Sequence, residues 1–213
     1  MKKEKLDDLL EKVSEKDEFV ALSSRYKACD GNRFSIRKIV IDYGPEWKKK
    51  YERYANAVGF YDGKIEPGEY VNLYDKKANH VMMSNTPMEF YTNYEFIKKS
   101  RGNVLIGGLG LGLIALFVEK KPEISSITIV EKHPEIIELI LSQIKFESKV
   151  LIEHSDIFNF APKERYDTVY IDIWNDVCRT NYDEMKELKR KYSRCLNESG
   201  FIACWREKDC MRL

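Results

Sequence analysis

The feature that most constrains this chain is a glycine-rich turn set between a short apolar run and an apolar helix. Val104-Leu105-Ile106 leads into Gly107-Gly108-Leu109-Gly110-Leu111-Gly112, and Leu113-Ile114-Ala115-Leu116-Phe117-Val118 follows. Glycine at this density serves backbone at positive φ and lets another group approach the main chain without a Cβ in the way. The start of the following helix presents free N–H groups to a polar ligand. Close strand–helix packing alone also uses such glycines, so the residues around the turn decide between the two uses.

Those residues repeat one rhythm. Apolar runs at Asn103–Ile106, Ser126–Glu131, Val150–His154, Thr168–Asp172 and Phe201–Trp205 alternate with helical stretches near Gly112–Lys120, Pro134–Ile144 and Asn181–Cys195. Continuous apolar strands separated by helices predict a parallel sheet covered on both faces. The expected class is α/β, a doubly wound Rossmann-like sheet.

Upstream the pattern differs. An amphipathic helix is predicted from about Lys3 to Ser14, with Leu6, Leu9, Leu10 and Val13 at helical spacing. The run from Arg33 to Tyr43 favours a strand. Gly44-Pro45-Glu46 opens a helix carrying Trp47, Tyr51 and Tyr54. Short strands are expected at Val58–Tyr61, Glu69–Tyr74 and His80–Met83. Thr86-Pro87 then begins a helix that runs to about Lys99. The predicted organisation is an N-terminal helix with a small α+β, β-rich unit over residues 1–85, and the sheet domain over 86–213.

Composition excludes several partners. The net charge is +1, which gives no general attraction for nucleic acid or an anionic membrane. The longest apolar stretch, Val104–Val118, is short and glycine-rich, unlike a membrane span. The basic stretch Lys48–Lys50 and the mixed run Lys186–Arg190 read as solvated faces. Five cysteines, none in a C-x-x-C pair, argue against a zinc site or disulfide framework. They predict reduced thiols in a cytoplasmic protein, with Cys178 inert. His80, His133 and His154 do not cluster, and no metal is expected. A small-molecule partner is expected, and nothing bars a homo-oligomer.

Two acidic residues follow the glycine turn in order. Glu131 ends the second strand, 21 residues beyond Gly110. A carboxylate there can accept hydrogen bonds from both hydroxyls of a ribose. Asp156 follows the third strand, where it can accept from the exocyclic amine of adenine while Ile157 packs on the ring. Position 113 is Leu, where pyrophosphate-binding dinucleotide turns need a small residue. That departure favours a nucleoside cofactor without pyrophosphate.

Residues 103–172 resemble the core of class I S-adenosylmethionine (SAM)-dependent methyltransferases, and within them the spermidine synthase (aminopropyltransferase) branch. The resemblance rests on Val104–Gly112 (VLIGGLGLG), Ile129–Glu138 (IVEKHPEIIE), Ile152–Phe158 (IEHSDIF) and Tyr166–Trp174 (YDTVYIDIW). It implies a methyltransferase-type sheet that is short at its C-terminal end, since only eight residues follow Trp205. It implies SAM or decarboxylated SAM as cofactor, with Gly108, Gly110 and Gly112 at the cofactor backbone, Glu131 at ribose and Asp156 at adenine. Asp172 would then lie by the reacting sulfonium, and Glu89 near an amine substrate. Two departures from spermidine synthases stand out. Gly110 occupies the place of their acidic turn residue, and Asp172 and Asp176 are spaced one residue wider than their aspartate pair.

Alkylation of an amine requires an in-line approach and removal of a proton. Asp172 or Asp176 can accept that proton, although Asp176 with Asn175 equally suits capping of the next helix. Trp174 and Tyr182 can wall the pocket against a cation. The leading expectation is a SAM-dependent transferase acting on a small molecule, an amine. An aminopropyltransferase using decarboxylated SAM is one alternative. A non-catalytic SAM-binding or partner-binding protein of the same fold is the other.

Overall fold

A computed structural model describes residues 14–42, 44 and 68–213. The helix expected over Lys3–Ser14, apart from Ser14, the helix opened by Gly44-Pro45 and the strand Val58–Tyr61 lie outside the described residues. A helix over residues 14–21 (α1) comes first. Strands β1 (Cys29–Asp30), β2 (Phe34–Ile41), β3 (Gly68–Asp75) and β4 (His80–Ser84) follow and form a four-stranded antiparallel sheet in chain order. The expected strands at 33–43, 69–74 and 80–83 are present within a residue or two. α1 and β1 were not anticipated.

Helix α2 (Pro87–Lys99) leads into the second sheet, with Pro87 fitting its first turn. Next come β5 (Gly102–Gly107), α3 (Leu113–Val118), β6 (Ile124–Glu131), α4 (Pro134–Leu141), β7 (Val150–His154), β8 (Tyr166–Ile171), α5 (Arg179–Tyr192), β9 (Leu196–Cys204) and α6 (Glu207–Arg212). Every pairing in this sheet is parallel, and the order is β7-β6-β5-β8-β9. This is the doubly wound, Rossmann-like arrangement expected.

Alternation along the central strands feeds two cores. Val104, Ile106, Ile127, Ile129 and Tyr170 join one, while Leu105, Val130, Val169 and Ile171 join the other. A strand sends successive side chains to opposite faces, so burial on both faces explains why these strands read as unbroken apolar runs. α5 covers the second face with Met185, Leu188 and Tyr192. The first face is shared with the N-terminal region. Phe19, Leu22, Tyr26, Phe34, Ile36, Val71 and Leu73 lie in one cluster with Phe90, Phe117 and Ile140. The antiparallel sheet is therefore built onto the parallel one rather than around a core of its own.

The chain leaves β5 toward β6 and β7, then returns across β5 to β8. The reversal opens a crevice beyond the carboxyl ends of β5 and β8, the place where open α/β sheets bind ligands. Among the described residues no helix is long and apolar enough to cross a membrane.

Candidate active site

The crevice holds a cavity of about 400 Å³, lined by the ends of β5, β6, β7 and β8 below and by β4 above. Its floor is the glycine turn. Asp172 donates its N–H to the Gly107 carbonyl (2.8 Å), and Gly108 donates to the Val130 carbonyl (2.9 Å). Gly108 has φ of 100°, and a Cβ there would stand 2.2 Å from the Asp172 carbonyl oxygen. Backbone cannot yield as a flexible side chain does. Gly108→Ala is expected to cost about 2 kcal/mol or more in strain and displacement. Gly44→Ala, at a site with nothing within 4 Å, should leave the melting temperature unchanged. Equal melting temperatures for both variants would contradict the turn geometry.

Gly110 also has positive φ (53°), and the Met83 thioether of β4 rests on it. Met83 Sδ accepts the Leu111 N–H at 3.2 Å. Gly112 plays a different part. It is absent from the cavity wall, and its Cβ would press on Phe146 and Ile144. Its demand for glycine comes from its left-handed backbone and from packing.

Glu131 ends β6 and is buried. One carboxylate oxygen accepts the Leu109 N–H at 3.0 Å, and the other accepts the His133 N–H at 2.8 Å. The side chain thereby ties the glycine turn to the start of α4. Asp156 accepts the Phe158 N–H at 2.9 Å and lines the cavity beside buried Ile157. Tyr192 of α5 holds this loop by donating to the Ile157 carbonyl at 2.7 Å.

Two carboxyl groups from different elements line the same cavity, Glu89 of α2 and Asp172 after β8. Glu89 accepts from Asn93 Nδ2 at 3.2 Å, and Asn93 in turn accepts from the Tyr170 hydroxyl. Tyr170 is stacked on Phe96 at 4.1 Å. Burial pushes Glu89 up to about 7, against the opposing pull of Asn93 and the Ser84 N–H. Asp172 is raised well above the carboxylate range by burial first and by the charge of Glu89 second. Burial and like charge thus both favour the protonated carboxyl at this part of the wall. Trp174 and Trp205 add aromatic wall, their ring N–H groups donating to Glu184 (2.7 Å) and Thr92 (3.2 Å).

The roof brings residues that the sequence did not single out. Arg33 donates from Nε and Nη2 to Asp75 Oδ2 at 3.0 and 2.6 Å, which holds the buried Asp75 carboxyl far below its usual range. The Arg33 and Phe34 N–H groups are held by Glu135 at 2.9 and 3.0 Å, docking β2 on the start of α4. His80 and Met83 come from β4, and Trp205 follows the last residue of β9. Trp205 carried a readable signal, its place at a strand end. The roof residues carried none, because only tertiary docking brings β4 over the sheet.

Gly108, Gly110, Glu131, Asp156, Ile157, Glu89, Asp172 and Trp174 thus meet at one cavity. Asp176 and Tyr182 stand apart from its wall. The Asp176 carbonyl and Oδ1 accept from Asn181 Nδ2 at 2.8 and 3.1 Å, and the N-cap of α5 is Cys178 rather than Asp176. Tyr182 packs under Arg179 and Lys186, their cationic groups 5.2 and 5.0 Å from its ring centre. Among the described residues no group of three His, Cys, Asp or Glu side chains is arranged to hold a metal ion.

No family model matches the chain, and no curated protein matches it in sequence. Several solved structures are similar to it. The complex of DhpI with SAM and HEP is 16% identical over 54% of this chain and 51% of that one, with a TM-score of 0.42. The plantazolicin methyltransferase BpumL, bound to S-adenosylhomocysteine and a monoazolic desmethylPZN analog, is 21% identical over 54% and 42%, with a TM-score of 0.39. A SAM-dependent methyltransferase from Clostridium acetobutylicum is 19% identical over 54% and 46%, with a TM-score of 0.39. The chain spans about half the length of these structures, between 42% and 51%.

Proposed function

We propose that the cavity binds SAM and that the protein transfers its methyl group to a small amine. The observation that carries this reading is the position of Glu89 and Asp172 on the same cavity as a glycine turn tied down by Glu131. Each Glu131 oxygen spends one acceptor site on a backbone N–H and keeps a second for a ribose hydroxyl. Asp156 then meets the adenine amine, and Ile157 packs on the ring. Bound SAM supplies a carbon made electrophilic by the adjacent sulfonium. The residues of this chain position the acceptor and manage its proton.

An ammonium group entering between Glu89 and Asp172 meets one negative charge and two acceptors, with the faces of Trp174 and Trp205 nearby. Only the neutral amine attacks carbon. A carboxyl pair whose affinity for a proton is raised by burial is suited to take that proton and release it again. Asp172 adjoins the glycine turn through its backbone bond to Gly107, which makes it the nearer base. Glu89 tunes it by charge.

The test is release of S-adenosylhomocysteine from SAM over a panel of small primary and secondary amines. Release should depend on an amine and be lost in Asp172→Asn, while that variant still binds S-adenosylhomocysteine. Amine-dependent turnover of decarboxylated SAM alone would move the assignment to aminopropyl transfer. No amine dependence with either donor would refute the acceptor site.

A further inference from the structure

The cavity wall beside Glu89 and Asp172 is built largely of apolar side chains. Met88 stands immediately before Glu89, and Ile173 and Trp174 follow Asp172; all three line the cavity. Trp205 joins the two elements that carry the acids. Its backbone N–H donates to the Ile171 carbonyl at 2.9 Å, next to Asp172, and its indole N–H donates to Thr92 Oγ1 at 3.2 Å. Thr92 in turn donates to the Glu89 carbonyl at 3.1 Å. The Trp174 indole N–H is taken by Glu184 at 2.7 Å. Both indoles therefore offer the cavity ring carbon and no free donor.

Among the described residues three further carboxylates line the cavity, and each is engaged. Asp75 is bound by Arg33, Glu131 holds two N–H groups, and Asp156 accepts the Phe158 N–H. In the proposed cofactor pose Glu131 and Asp156 also face the nucleoside. Asp176, the second aspartate of the loop after β8, stands apart from the wall and holds Asn181. A second ammonium on the acceptor would lose its water without gaining a free counter-charge, and a buried unpaired charge is costly. A hydrocarbon or aromatic body gains by burial on the same wall.

Resting on the amine site proposed above, we infer that the acceptor is a monoamine with an apolar or aromatic body, seated against Met88, Trp174 and Trp205, and that diamines are rejected. The arriving ammonium gives a proton to Asp172 and thence to solvent. The nitrogen lone pair then forms a bond to the methyl carbon as the carbon–sulfur bond breaks, leaving a methylated ammonium and S-adenosylhomocysteine. The wall takes no part in the bond exchange. It selects which amine brings its nitrogen to the pair.

A matched amine series, incubated with the full chain and SAM, tests this through S-adenosylhomocysteine release and product mass. From ethylamine to butylamine, kcat/KM should rise about fourfold with each methylene, and 2-phenylethylamine should serve at least as well as butylamine. Pentylamine carries a methyl group where 1,4-diaminobutane carries its second nitrogen. Pentylamine should be favoured by at least about 100-fold. Met88→Glu sets a carboxylate into the wall and should narrow that ratio by at least about tenfold, whereas Met88→Gln, polar but uncharged, should leave it close to the wild type. If the charged variant does not fold, the wild-type ratio decides alone. A diamine used as well as pentylamine, or no gain with chain length, would overturn the substrate class while amine-dependent release left the methyl-transfer reading standing. No release with any amine of the series would overturn the amine site itself, and this inference with it.

Discussion

Replacing Glu89 with glutamine is expected to raise the melting temperature at pH 8 and to remove most of the turnover. The stability gain follows from the direction of the titration. Glu89 starts from an ordinary value of 4.5 and is pushed up to about 7 by burial. Below pH 4.5 both folded and unfolded chains hold the proton, and the group contributes nothing to the difference between them. As pH rises from 4.5 to 7 the unfolded chain releases its proton freely while the folded chain resists. Stability therefore falls across that window and levels off above it.

A shift of this size corresponds to about 3 kcal/mol at 1.36 kcal/mol per pH unit. For a chain of this length that is roughly 6–12 °C in melting temperature. Glutamine keeps an acceptor for Asn93 and cannot ionise. Glu89→Gln should match the wild type near pH 4.5 and exceed it increasingly up to pH 8. Removing the charge also relaxes Asp172, which Glu89 raises. With one of the two carboxyl groups removed and the base retuned, turnover should fall by about 10²–10⁴, the range typical of lost acid–base assistance. A variant that is more stable and equally active would place the acceptor elsewhere. A variant with no gain at pH 8 would mean that Glu89 is not held in an apolar wall.

Glu131→Ala is the second large effect, and it acts on binding. Its oxygens hold the Leu109 and His133 N–H groups, so alanine strips one buried and one partly buried donor of their acceptor. Each such loss costs about 1–3 kcal/mol. The glycine turn then loses its tie to α4 before any ligand is considered. Affinity for S-adenosylhomocysteine should fall by at least about 100-fold, because the ribose loses its acceptor and the turn its shape. Glu131→Gln separates the two roles. One oxygen still accepts the Leu109 N–H, while the amide nitrogen can no longer accept from a second hydroxyl. It should lose about half as much stability as alanine, because the His133 N–H is left facing an amide nitrogen, and lose most of the affinity. Full binding by Glu131→Ala would remove Glu131 from the ribose site.

The sheet was legible because its central strands β5, β6 and β8 are buried on both faces and its strands are punctuated by glycine or polar residues. Val150–His154 is found with the bounds read from sequence, and the other four strands agree to within a few residues. The cavity's lower wall was legible for a related reason. Strand ends at Gly107, Glu131, His154 and Ile171 must converge once the strands are parallel, so the residues beside them share a crevice. Asp176 and Tyr182 also follow a strand end, but further into the loop and helix. There local forces dominate, and Asn181 and the Arg179 and Lys186 side chains claim them. The roof was not legible. His80, Met83 and Arg33 reach the site only because Glu135 clamps β2 and the shared core draws the antiparallel sheet down. No local periodicity records that contact.

Isothermal titration of the protein with S-adenosylhomocysteine, alongside NAD and adenosine, tests most directly whether the cavity beyond β5 is a SAM-type nucleoside site. The expected result is one S-adenosylhomocysteine per chain, at least about 100-fold weaker in Glu131→Ala, with NAD silent because Leu113 and the absent third small residue leave no place for a pyrophosphate. Binding of NAD in preference, or S-adenosylhomocysteine binding that is indifferent to Glu131, would contradict it.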